Sequence, residues 1–376
     1  MIYLDNAATT RPCDEAKAGV VKGLETFGNP SSLHSCGLEA ELLVRDARQA
    51  VADSLSCLPE EVYFTSCATE SSNTAIFGAY KSQGKRLHRV VTTTIEHPAT
   101  ARPMDELERL GVEVVRIAPD DKGEITPEAV MAAVNDDTFL VSIMMVNNET
   151  GALLPVDKIF SAVHRKFPKI ITHCDCVQGY LKFPIKTKTL GADMISVSAH
   201  KICGPKGIGA LYIRKGLHIP ALLMGGGQEK AQRSGTESVP LICGFGEAVK
   251  KYSKDISKRL EKARALEAKL LELCEKNGGI KPNFTGTKSP YVTSISVDGL
   301  KSEVLLHYLE KKDIFVSSGS ACSKGKKSGV LAEFGISPAD MDTTLRVSIG
   351  ADTSEDDLIA FEAAICEAQQ ELARLK

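Results

Sequence analysis

The sequence contains no tryptophan, only 5% aromatic residues, and almost no net charge. Its 46 lysines and arginines nearly balance its 48 aspartates and glutamates. Such a chain offers no global field that would attract nucleic acid or an anionic membrane. With 43% hydrophobic residues, the composition is that of an ordinary globular protein. We therefore expect a folded protein that binds neither nucleic acid directly nor a membrane surface.

Long apolar runs and paired cysteines are missing as well. The longest strongly apolar stretch, residues 139–146, is well short of the about 20 residues that a membrane-spanning helix needs. Near the N-terminus, Asp5 stands where a signal peptide would carry a basic segment before an apolar one. The 11 cysteines are scattered and odd in number, which is typical of reduced thiols rather than of a disulfide framework. These absences predict a cytoplasmic protein.

Apolar runs alternate with amphipathic segments through the first half of the chain. Six runs have the composition of buried strands: residues 89–94, 113–117, 139–146, 170–174, 194–197 and 208–213. Residues 43–55 repeat apolar side chains at helical spacing, and residues 127–134 favour a crossover helix. Continuous apolar strands joined by helices indicate an α/β fold with a mostly parallel sheet that helices cover.

The pattern changes near residue 250, where we place a domain boundary. Residues 256–270 present one apolar face of a long charged helix. Two strands and a helix are predicted after it, at residues 293–297, 344–349 and 303–310. Ser354, followed by acidic residues, is a suitable N-cap for a last helix. This part of the chain predicts a smaller α+β unit.

The residues best suited to covalent chemistry follow the strand predicted at 194–197. The sequence SVSAHKICGPKGIG carries Ser198, His200 and Lys201 just before a glycine-rich turn. A Schiff-base lysine must be partly desolvated and near polar groups, and the end of a buried strand meets that need. The alternative is a solvated loop lysine, a description that suits Lys206 at least as well.

A carboxylate occupies the matching position of the preceding strand. Asp175 ends the run 170–174, one crossover before Lys201, so the two side chains can meet at the same edge of the sheet. A pyridinium nitrogen is a cation that a buried carboxylate can pair with; the alternative is a cap for the following turn. Cys174 and Cys176 share one strand face, which favours packing over a metal site.

A third polar element is FTSCATESSN at residues 64–73, a strand that passes into a polar turn and then a helix. The free N–H groups of a helix start, with the hydroxyl of Thr69 beside them, suit a phosphate group. A plain N-cap is the alternative, because Ser and Thr are common at helix starts.

These elements occur in a fixed order with several further motifs. The motifs are YLDNAATT at 3–10, FGNPSS at 27–32, the polar turn at 64–73, Glu96-His97, NNETG at 147–151, Asp175 with Gln178, SAHK at 198–201, RSGT at 233–236, SSGSAC at 317–322 and Arg346. Together they resemble the class V aminotransferases among the fold-type I pyridoxal-phosphate enzymes. Within that group they are most similar to the cysteine desulfurases that feed iron–sulfur cluster assembly and tRNA thiolation, over essentially the whole chain.

The resemblance implies an architecture and a set of partners. We expect a large cofactor-binding domain at residues 16–255, built on a mostly parallel seven-stranded sheet. Residues 1–15 and 256–376 are expected to form a smaller α+β domain that carries the loop of Cys322. The resemblance also implies a homodimer with pyridoxal 5′-phosphate, L-cysteine as substrate, and a sulfur-acceptor protein as partner, either an iron–sulfur scaffold or a tRNA-thiolation enzyme.

The resemblance assigns the cofactor contacts residue by residue. Lys201 would hold the cofactor as a Schiff base, Asp175 would pair with the pyridine nitrogen, and His97 would stack on the ring. Gln178 would hydrogen-bond the phenolic oxygen. The phosphate would be held by Ala68, Thr69, Ser198 and His200, and Thr236 would reach into the site of the partner subunit. On the residues alone, the two histidines are as well explained by ordinary hydrogen bonding in place.

Substrate and sulfur handling follow from the same resemblance. Asn148 and Arg346 would orient the substrate carboxylate, with Asn148 also near the cofactor and the guanidinium suited to bidentate binding. The thiolate of Cys322 would attack the substrate sulfur and keep it as a persulfide while alanine leaves. The alternative for Cys322 is a buried structural cysteine.

Some features depart from the family pattern. Cys67 replaces the usual glycine of the phosphate turn, which must then accommodate a side chain. After Cys322 the sequence SKGKKSG is short and basic, and its Lys324, Lys326 and Lys327 suit either a solvated loop or contact with an acidic sulfur acceptor. The chain stops soon after the last predicted helix, where scaffold-binding relatives continue as a tail, so the identity of the acceptor stays open.

Two other functions stay open on the sequence. One is a related lyase or aminotransferase of the same fold, for example a selenocysteine lyase, in which Cys322 is dispensable. The other is a non-catalytic sulfur-relay or scaffold protein. Lys201 argues against the scaffold, because partner binding alone needs no Schiff-base lysine.

Overall fold

The computed structural model describes residues 1–84, 86–318 and 329–372. Within these ranges the strands are β1 (Ile2–Tyr3), β2 (Val62–Thr65), β3 (Arg89–Thr93), β4 (Glu113–Ile117), β5 (Thr138–Met144), β6 (Ile171–Asp175), β7 (Met194–Ser198), β8 (Gly209–Ile213), β9 (Ile280–Pro282), β10 (Val292–Val297), β11 (Ile314–Phe315), β12 (Ser317–Ser318) and β13 (Thr344–Ser348). The helices there are α1 (Asp14–Glu25), α2 (Ser35–Leu55), α3 (Ala68–Gln83), α4 (Pro98–Arg109), α5 (Pro127–Ala133), α6 (Val156–Lys166), α7 (Thr187–Leu190), α8 (Val239–Tyr252), α9 (Ile256–Asn277), α10 (Ser302–Glu310), α11 (Gly329–Glu333), α12 (Pro338–Asp342) and α13 (Glu355–Glu371).

The strands β2 to β8 form one sheet in the order β2-β8-β7-β6-β5-β3-β4. β8 runs antiparallel to β2 and β7, and the other neighbours in the sheet are parallel. Each of the six predicted strand runs corresponds to one of these strands, with ends that differ by two residues or fewer. The prediction of an α/β fold with a mostly parallel seven-stranded sheet is confirmed.

Helices cover both faces of this sheet, and every residue of β5, β6, β7 and β8 is buried. On one face α2, α6 and α8 pack through side chains such as Val51, Phe160 and Phe245. On the other face α3 and α4 pack through Ile76 and Met104. Burial on two sides explains why the strand sequences are continuously apolar instead of alternating.

The chain after α8 builds a smaller antiparallel sheet in the order β12-β13-β10-β9. α9, α10 and α13 join it in one hydrophobic cluster through Leu270, Leu305 and Phe361. α13 begins with the predicted cap. The Asp357 N–H donates to Ser354 Oγ at 3.2 Å, and the Ser354 N–H donates to Asp357 Oδ2 at 2.9 Å. This reciprocal pair satisfies two N–H groups that the helix itself leaves unbonded.

The N-terminal residues lie beside the smaller sheet. β1 pairs in parallel with β11, and Leu4 is buried in the same cluster as Leu345 and Val347 of β13. On this basis we propose residues 16–255 as one domain, and residues 1–15 with the segment from 256 onward as the other. Among the helices of the described ranges, none is both long and apolar enough to cross a membrane.

Candidate active site

A cavity of about 350 Å³ lies at the edge of the large sheet where its parallel strands end. β5, β6 and β7 contribute their last residues to it, Met144, Asp175 and Ser198. The cavity wall includes most of the site residues predicted from the sequence: Ala68, Thr69, His97, Asn148, Asp175, Gln178, Ser198, His200, Lys201 and Arg346. Side chains far apart in the chain therefore meet at one sheet edge, as open α/β folds arrange their ligand sites.

Glycine lets β8 begin close to the start of α3. A Cβ on Gly209 would lie 2.7 Å from the Val197 carbonyl oxygen and 3.0 Å from the Ala68 nitrogen. Any side chain there would push the first turn of α3 away from the sheet. The last glycine of GPKGIG thus holds the helix start and the strand ends around the same cavity.

The amine of Lys201 is held at the cavity wall by main-chain carbonyls. Lys201 Nζ donates to the carbonyl oxygens of Ala7 and Ala8, at 2.5 and 2.8 Å. Thr10 fixes this N-terminal segment in place, because its Oγ1 donates to the His200 carbonyl at 2.9 Å and accepts the Cys203 N–H at 2.7 Å. The sequence analysis assigned no role to Ala7 or Ala8, since a main-chain acceptor leaves no signature in the side chains.

Asp175 and His97 are both largely buried, and burial shifts their pKa values in opposite directions. Asp175 is 5% exposed and accepts the Val177 N–H at 2.9 Å. Burial raises the pKa of Asp175, and nearby His97 and Lys201 partly offset the rise. Burial lowers the pKa of His97, whose Nδ1 accepts the Ala99 N–H at 3.0 Å and caps α4. A buried carboxylate of this kind is stabilised by a cation, and the neutral imidazole beside it presents a flat ring to the cavity.

The start of α3 provides an anion-binding surface. Cys67, at the N-cap position, makes no side-chain cap hydrogen bond, so the first N–H groups of α3 are not capped from there. Its φ of −175° is extended backbone that any residue adopts, and the side chain in place of glycine is therefore accommodated without strain. Ser198 Oγ is buried at the same cavity and has no hydrogen-bond partner among the described residues. An anion with several acceptor oxygens would satisfy both.

His200 completes this end of the cavity. Its Nδ1 lies 3.2 Å from Thr9 Oγ1, and burial, followed by the charges of Lys201 and Lys206, lowers the pKa of His200 to about 4. A neutral imidazole hydrogen-bonds an anion without adding a charge of its own.

Arg346 also lines the cavity. Its Nη1 donates to the Asn148 carbonyl at 3.0 Å and its Nη2 to Asp5 Oδ1 at 2.8 Å. Arg346 Nε is buried and has no hydrogen-bond partner among the described atoms. The guanidinium is thus oriented by two partners and still has a donor to offer, as binding of a small carboxylate requires.

Gln178 connects the cavity to a second buried lysine. Gln178 Nε2 donates to the Ala7 carbonyl at 2.9 Å, and its Oε1 accepts from Lys182 Nζ at 3.1 Å. The sequence analysis did not single out Lys182. Its burial depends on tertiary packing against Tyr291, whose ring centre lies 5.6 Å from the ammonium.

Three further predictions concern residues that are outside the cavity or outside the described part of the chain. Thr236 is exposed and outside the cavity of its own chain. Cys322 and the basic segment after it, with Lys324, Lys326 and Lys327, lie outside the described residues. Cys174 and Cys176 are buried with their sulfurs 3.5 Å apart, in the hydrophobic cluster under the sheet.

The chemistry of the cavity fits pyridoxal phosphate. The orphaned Ser198 hydroxyl and the uncapped helix start suit a phosphate group. Asp175 suits a protonated ring nitrogen, and the Lys201 amine suits an aldehyde. One ligand with an anionic end, an aromatic cation and a carbonyl carbon thus matches each of the unusual groups.

Comparison with known proteins places the chain in a family. The family description "Aminotransferase class-V" matches residues 2–361. A cysteine desulfurase of Trichormus azollae is 37% identical over 94% of this chain and 89% of its own length. A solved NifS-like protein superposes with a TM-score of 0.93 at 34% identity, covering 99% of this chain and all of its own. The structure titled "SspA in complex with cysteine" has a TM-score of 0.82 at 30% identity, over 93% of this chain and 99% of its own.

The family match over residues 2–361 and a superposition over 99% of the chain include both the large sheet and the smaller unit. Members of this family are generally pyridoxal-phosphate-dependent, in agreement with the groups in the cavity. The chain belongs to the class V aminotransferase family, in the branch of the cysteine desulfurases.

Proposed function

We propose that the protein is a pyridoxal-phosphate-dependent cysteine desulfurase that converts L-cysteine to L-alanine and takes the sulfur onto Cys322. The observation that carries the proposal is one cavity in which Lys201, Asp175 and Ser198 lie together at a sheet edge. The cysteine desulfurase names of relatives such as that of Trichormus azollae support it.

Cofactor binding is divided among residues with separate tasks. When bound, pyridoxal phosphate supplies an electron sink for the pair released at the substrate α carbon. Lys201 Nζ would hold the cofactor covalently and would carry the proton of the substrate α carbon. Asp175 would keep a proton on the ring nitrogen, because an unpaired carboxylate is costly at its depth. His97 would pack on the ring, and Gln178 would donate an N–H to the phenolic oxygen.

The anionic groups of cofactor and substrate would bind to different residues of the cavity. The N–H groups of Ala68 and Thr69 hold the phosphate with the side chains of Ser198 and His200. Arg346, oriented by Asp5 and the Asn148 carbonyl, binds the substrate carboxylate. Asn148, which also lines the cavity, would contact both cofactor and substrate.

The sulfur step belongs to Cys322. Its thiolate attacks the substrate sulfur, so that an S–S bond forms while the Cβ–S bond breaks. The electron pair of the broken bond stays on the substrate carbon, which is protonated and leaves as alanine. The persulfide then passes to an acceptor protein for iron–sulfur cluster assembly or tRNA thiolation. The basic residues Lys324, Lys326 and Lys327 favour an acidic acceptor surface.

A homodimer in the cytoplasm is part of the proposal. Apolar side chains are more than half exposed along the end of α1, the following loop and the start of α2: Val21, Leu24, Phe27, Leu33 and Leu38. Exposed apolar side chains grouped along one stretch of the chain are typical of an interaction surface. Thr236, exposed on its own chain, suits the role expected for it in the site of the partner. Ten free cysteines in the described part of the chain suit a reducing compartment.

Incubation with pyridoxal phosphate and then with L-cysteine tests this function. We expect a visible absorption band that borohydride removes, alanine as product, and one added sulfur on the peptide that contains Cys322. The Cys322→Ala variant should keep the band and lose alanine production. Undiminished production in that variant would favour a selenocysteine lyase or aminotransferase, and a colourless wild-type protein would favour a scaffold.

A further inference from the structure

Lys182 is a buried lysine beside the site, only 8% exposed, in the turn that follows β6. The turn is closed by hydrogen bonds from the Tyr180 N–H to the Cys176 carbonyl at 2.7 Å and from the Phe183 N–H to the Gly179 carbonyl at 3.0 Å. Leu181, with φ at 55°, adopts the left-handed conformation that favours glycine. This turn places the Lys182 ammonium against the side chain of Gln178.

The surroundings of Lys182 do not neutralise its charge. No carboxylate forms an ion pair with it in residues 1–84, 86–318 and 329–372, and the ring of Tyr291 lies on its other side. Burial, and then the charge of Lys201, lowers the pKa of Lys182 to about 7, and Arg346 acts in the same direction. A cation in this position destabilises the folded chain. Because this cost brings no gain in stability, we looked for a function of Lys182 in the neighbouring site.

The role follows from the hydrogen-bond chemistry of the two side chains. An ammonium group only donates, whereas an amide has one accepting and one donating end. With Lys182 Nζ donating at 3.1 Å, the acceptor Oε1 of Gln178 must face the lysine. Nε2 then faces the opposite way and donates to the Ala7 carbonyl at 2.9 Å. One hydrogen of Nε2 is used there, and the second remains for the cavity.

We propose that Lys182 is a positioning residue that fixes the amide of Gln178 so that an N–H, and not the carbonyl, faces the phenolic oxygen of the bound cofactor. This inference rests on the proposed function. Without Lys182 only the Ala7 carbonyl favours this orientation, and the amide turns over more readily, which would bring Oε1 towards the Ala7 carbonyl and the phenolic oxygen. Both contacts would then be repulsive, and affinity for the cofactor would fall.

A double-mutant cycle tests the inference through cofactor affinity, measured by equilibrium dialysis with pyridoxal phosphate at pH 6, where the ammonium form dominates. Lys182→Met should weaken binding by about 10-fold, as expected for a lost hydrogen bond to a charged group. In the background of Gln178→Met, the same substitution should change affinity by less than about 2-fold, because its effect acts through the amide. Lys186→Met, an exposed lysine of the same loop, should bind like the wild type.

The outcomes separate this inference from the proposed function. Lys182→Met that binds like the wild type, or that loses affinity equally in both backgrounds, overturns the positioning role alone. A wild-type protein that binds no pyridoxal phosphate overturns the function and the inference with it. The unfolding temperature of the apo variant should equal or exceed that of the wild type, since a desolvated cation has been removed. If Lys182→Met does not fold, Lys182→Gln, which does not enforce one amide orientation, replaces it in the same cycle.

Discussion

Two positions on each of two neighbouring strands show how the interior of the large sheet differs from its edge. On β6, His173 lies two residues before Asp175, and on β7, Ser196 lies two residues before Ser198. Residues two apart share one face of a strand. His173 and Ser196 are therefore one step deeper in the same sheet than the two residues of the cavity.

The interior positions are satisfied by each other. His173 Nδ1 lies 2.8 Å from Ser142 Oγ, and its Nε2 lies 2.9 Å from Ser196 Oγ, which accepts from Ser72 Oγ at 3.1 Å. With Ser72 as donor, Ser196 has its own hydrogen left for the imidazole. Burial lowers the pKa of His173 to about 3, so the ring stays neutral. This chain of four side chains links β5, β6, β7 and α3 without a net charge.

The edge positions are less completely satisfied by the described residues, where Asp175 accepts one N–H, from Val177. Ser198 Oγ has no partner and Asp175 has no ion pair in the described structure, although both are buried. A fold that serves only its own stability would pair such groups or replace them. The comparison indicates that polar groups in the interior stabilise the sheet, whereas those at its edge are reserved for a ligand.

Removal of the Lys201 amine should have the largest effect on the edge. Lys201→Ala is expected to lose the borohydride-sensitive band and to lower alanine production by on the order of 10⁴-fold, because the covalent attachment and the proton carrier go together. Lys206→Ala, in the same glycine-rich turn and exposed, is the matched control and should keep both. Equal loss in the two variants would mean that the turn, and not the amine of Lys201, matters.

Removal of the interior imidazole should give the largest effect on stability. His173→Ala leaves Ser142 and Ser196 without their shared partner and opens a cavity, so we expect a loss of about 3 kcal/mol in the free energy of unfolding. Cofactor affinity of the folded fraction should change by less than about 2-fold. Urea unfolding and equilibrium dialysis measure the two quantities, with the exposed His307→Ala as control. A large loss of affinity with little loss of stability would reverse the assignment of interior and edge.

The sequence predicts the site residues at the edge of the sheet better than it predicts the residues that pack around them. Asp175, Ser198 and Lys201 were found because buried strands are continuously apolar and their polar ends stand out. Lys182 was missed, because nothing in its neighbours shows that Tyr291, more than a hundred residues later, covers it. Contacts that depend on packing between distant segments leave no local pattern.

The helices α1 and α8 show the same limit within the fold. A Cβ on Gly244 of α8 would lie 2.9 Å from the Ala16 carbonyl of α1, and one on Gly246 would lie 2.6 Å from the Ala47 Cβ of α2. Glycine is needed for this close packing, yet it weakens the helical signal of the sequence. The glycines that allow α8 to pack closely therefore also explain why the sequence did not predict this helix.

Glu96 offers a test of how the stability of the folded protein depends on pH. Its Oε1 accepts from Thr93 Oγ1 at 2.8 Å and from the Met144 N–H at 2.9 Å, while Oε2 is buried and finds no partner in the part of the chain that the structure describes. Burial raises the pKa of Glu96 from 4.5 to about 8. Between these values the folded chain holds a proton that the unfolded chain has lost, so stability should fall as the pH rises from 4.5 to 8.

Glu96→Gln should remove this slope and raise the free energy of unfolding of the apo protein at pH 8. The shifted pKa corresponds to several kcal/mol, and the unpartnered amide of glutamine retains roughly 1–3 kcal/mol of cost, which leaves a net gain of about 2 kcal/mol. Near pH 4.5 the pKa contribution is absent and only the amide cost remains, so the variant should be less stable than the wild type by roughly 1–3 kcal/mol. Urea midpoints across this range measure it, and the exposed Glu128→Gln is the control. An unchanged slope would show that Glu96 is ionised in the folded protein.

The test with the smallest expected effects replaces each of the two serines of β7 by alanine in turn. Ser198→Ala removes a buried hydroxyl that has no partner, so the apo protein should lose no stability and gain up to about 1 kcal/mol. Pyridoxal-phosphate affinity should fall by about 10-fold, because a hydrogen bond to an anion is lost. Ser196→Ala, two residues earlier, should do the reverse: it breaks the bonds to Ser72 and His173, costs about 1–2 kcal/mol, and leaves affinity unchanged. If both variants lose stability and both keep affinity, Ser198 belongs to the interior of the sheet and the phosphate must bind elsewhere.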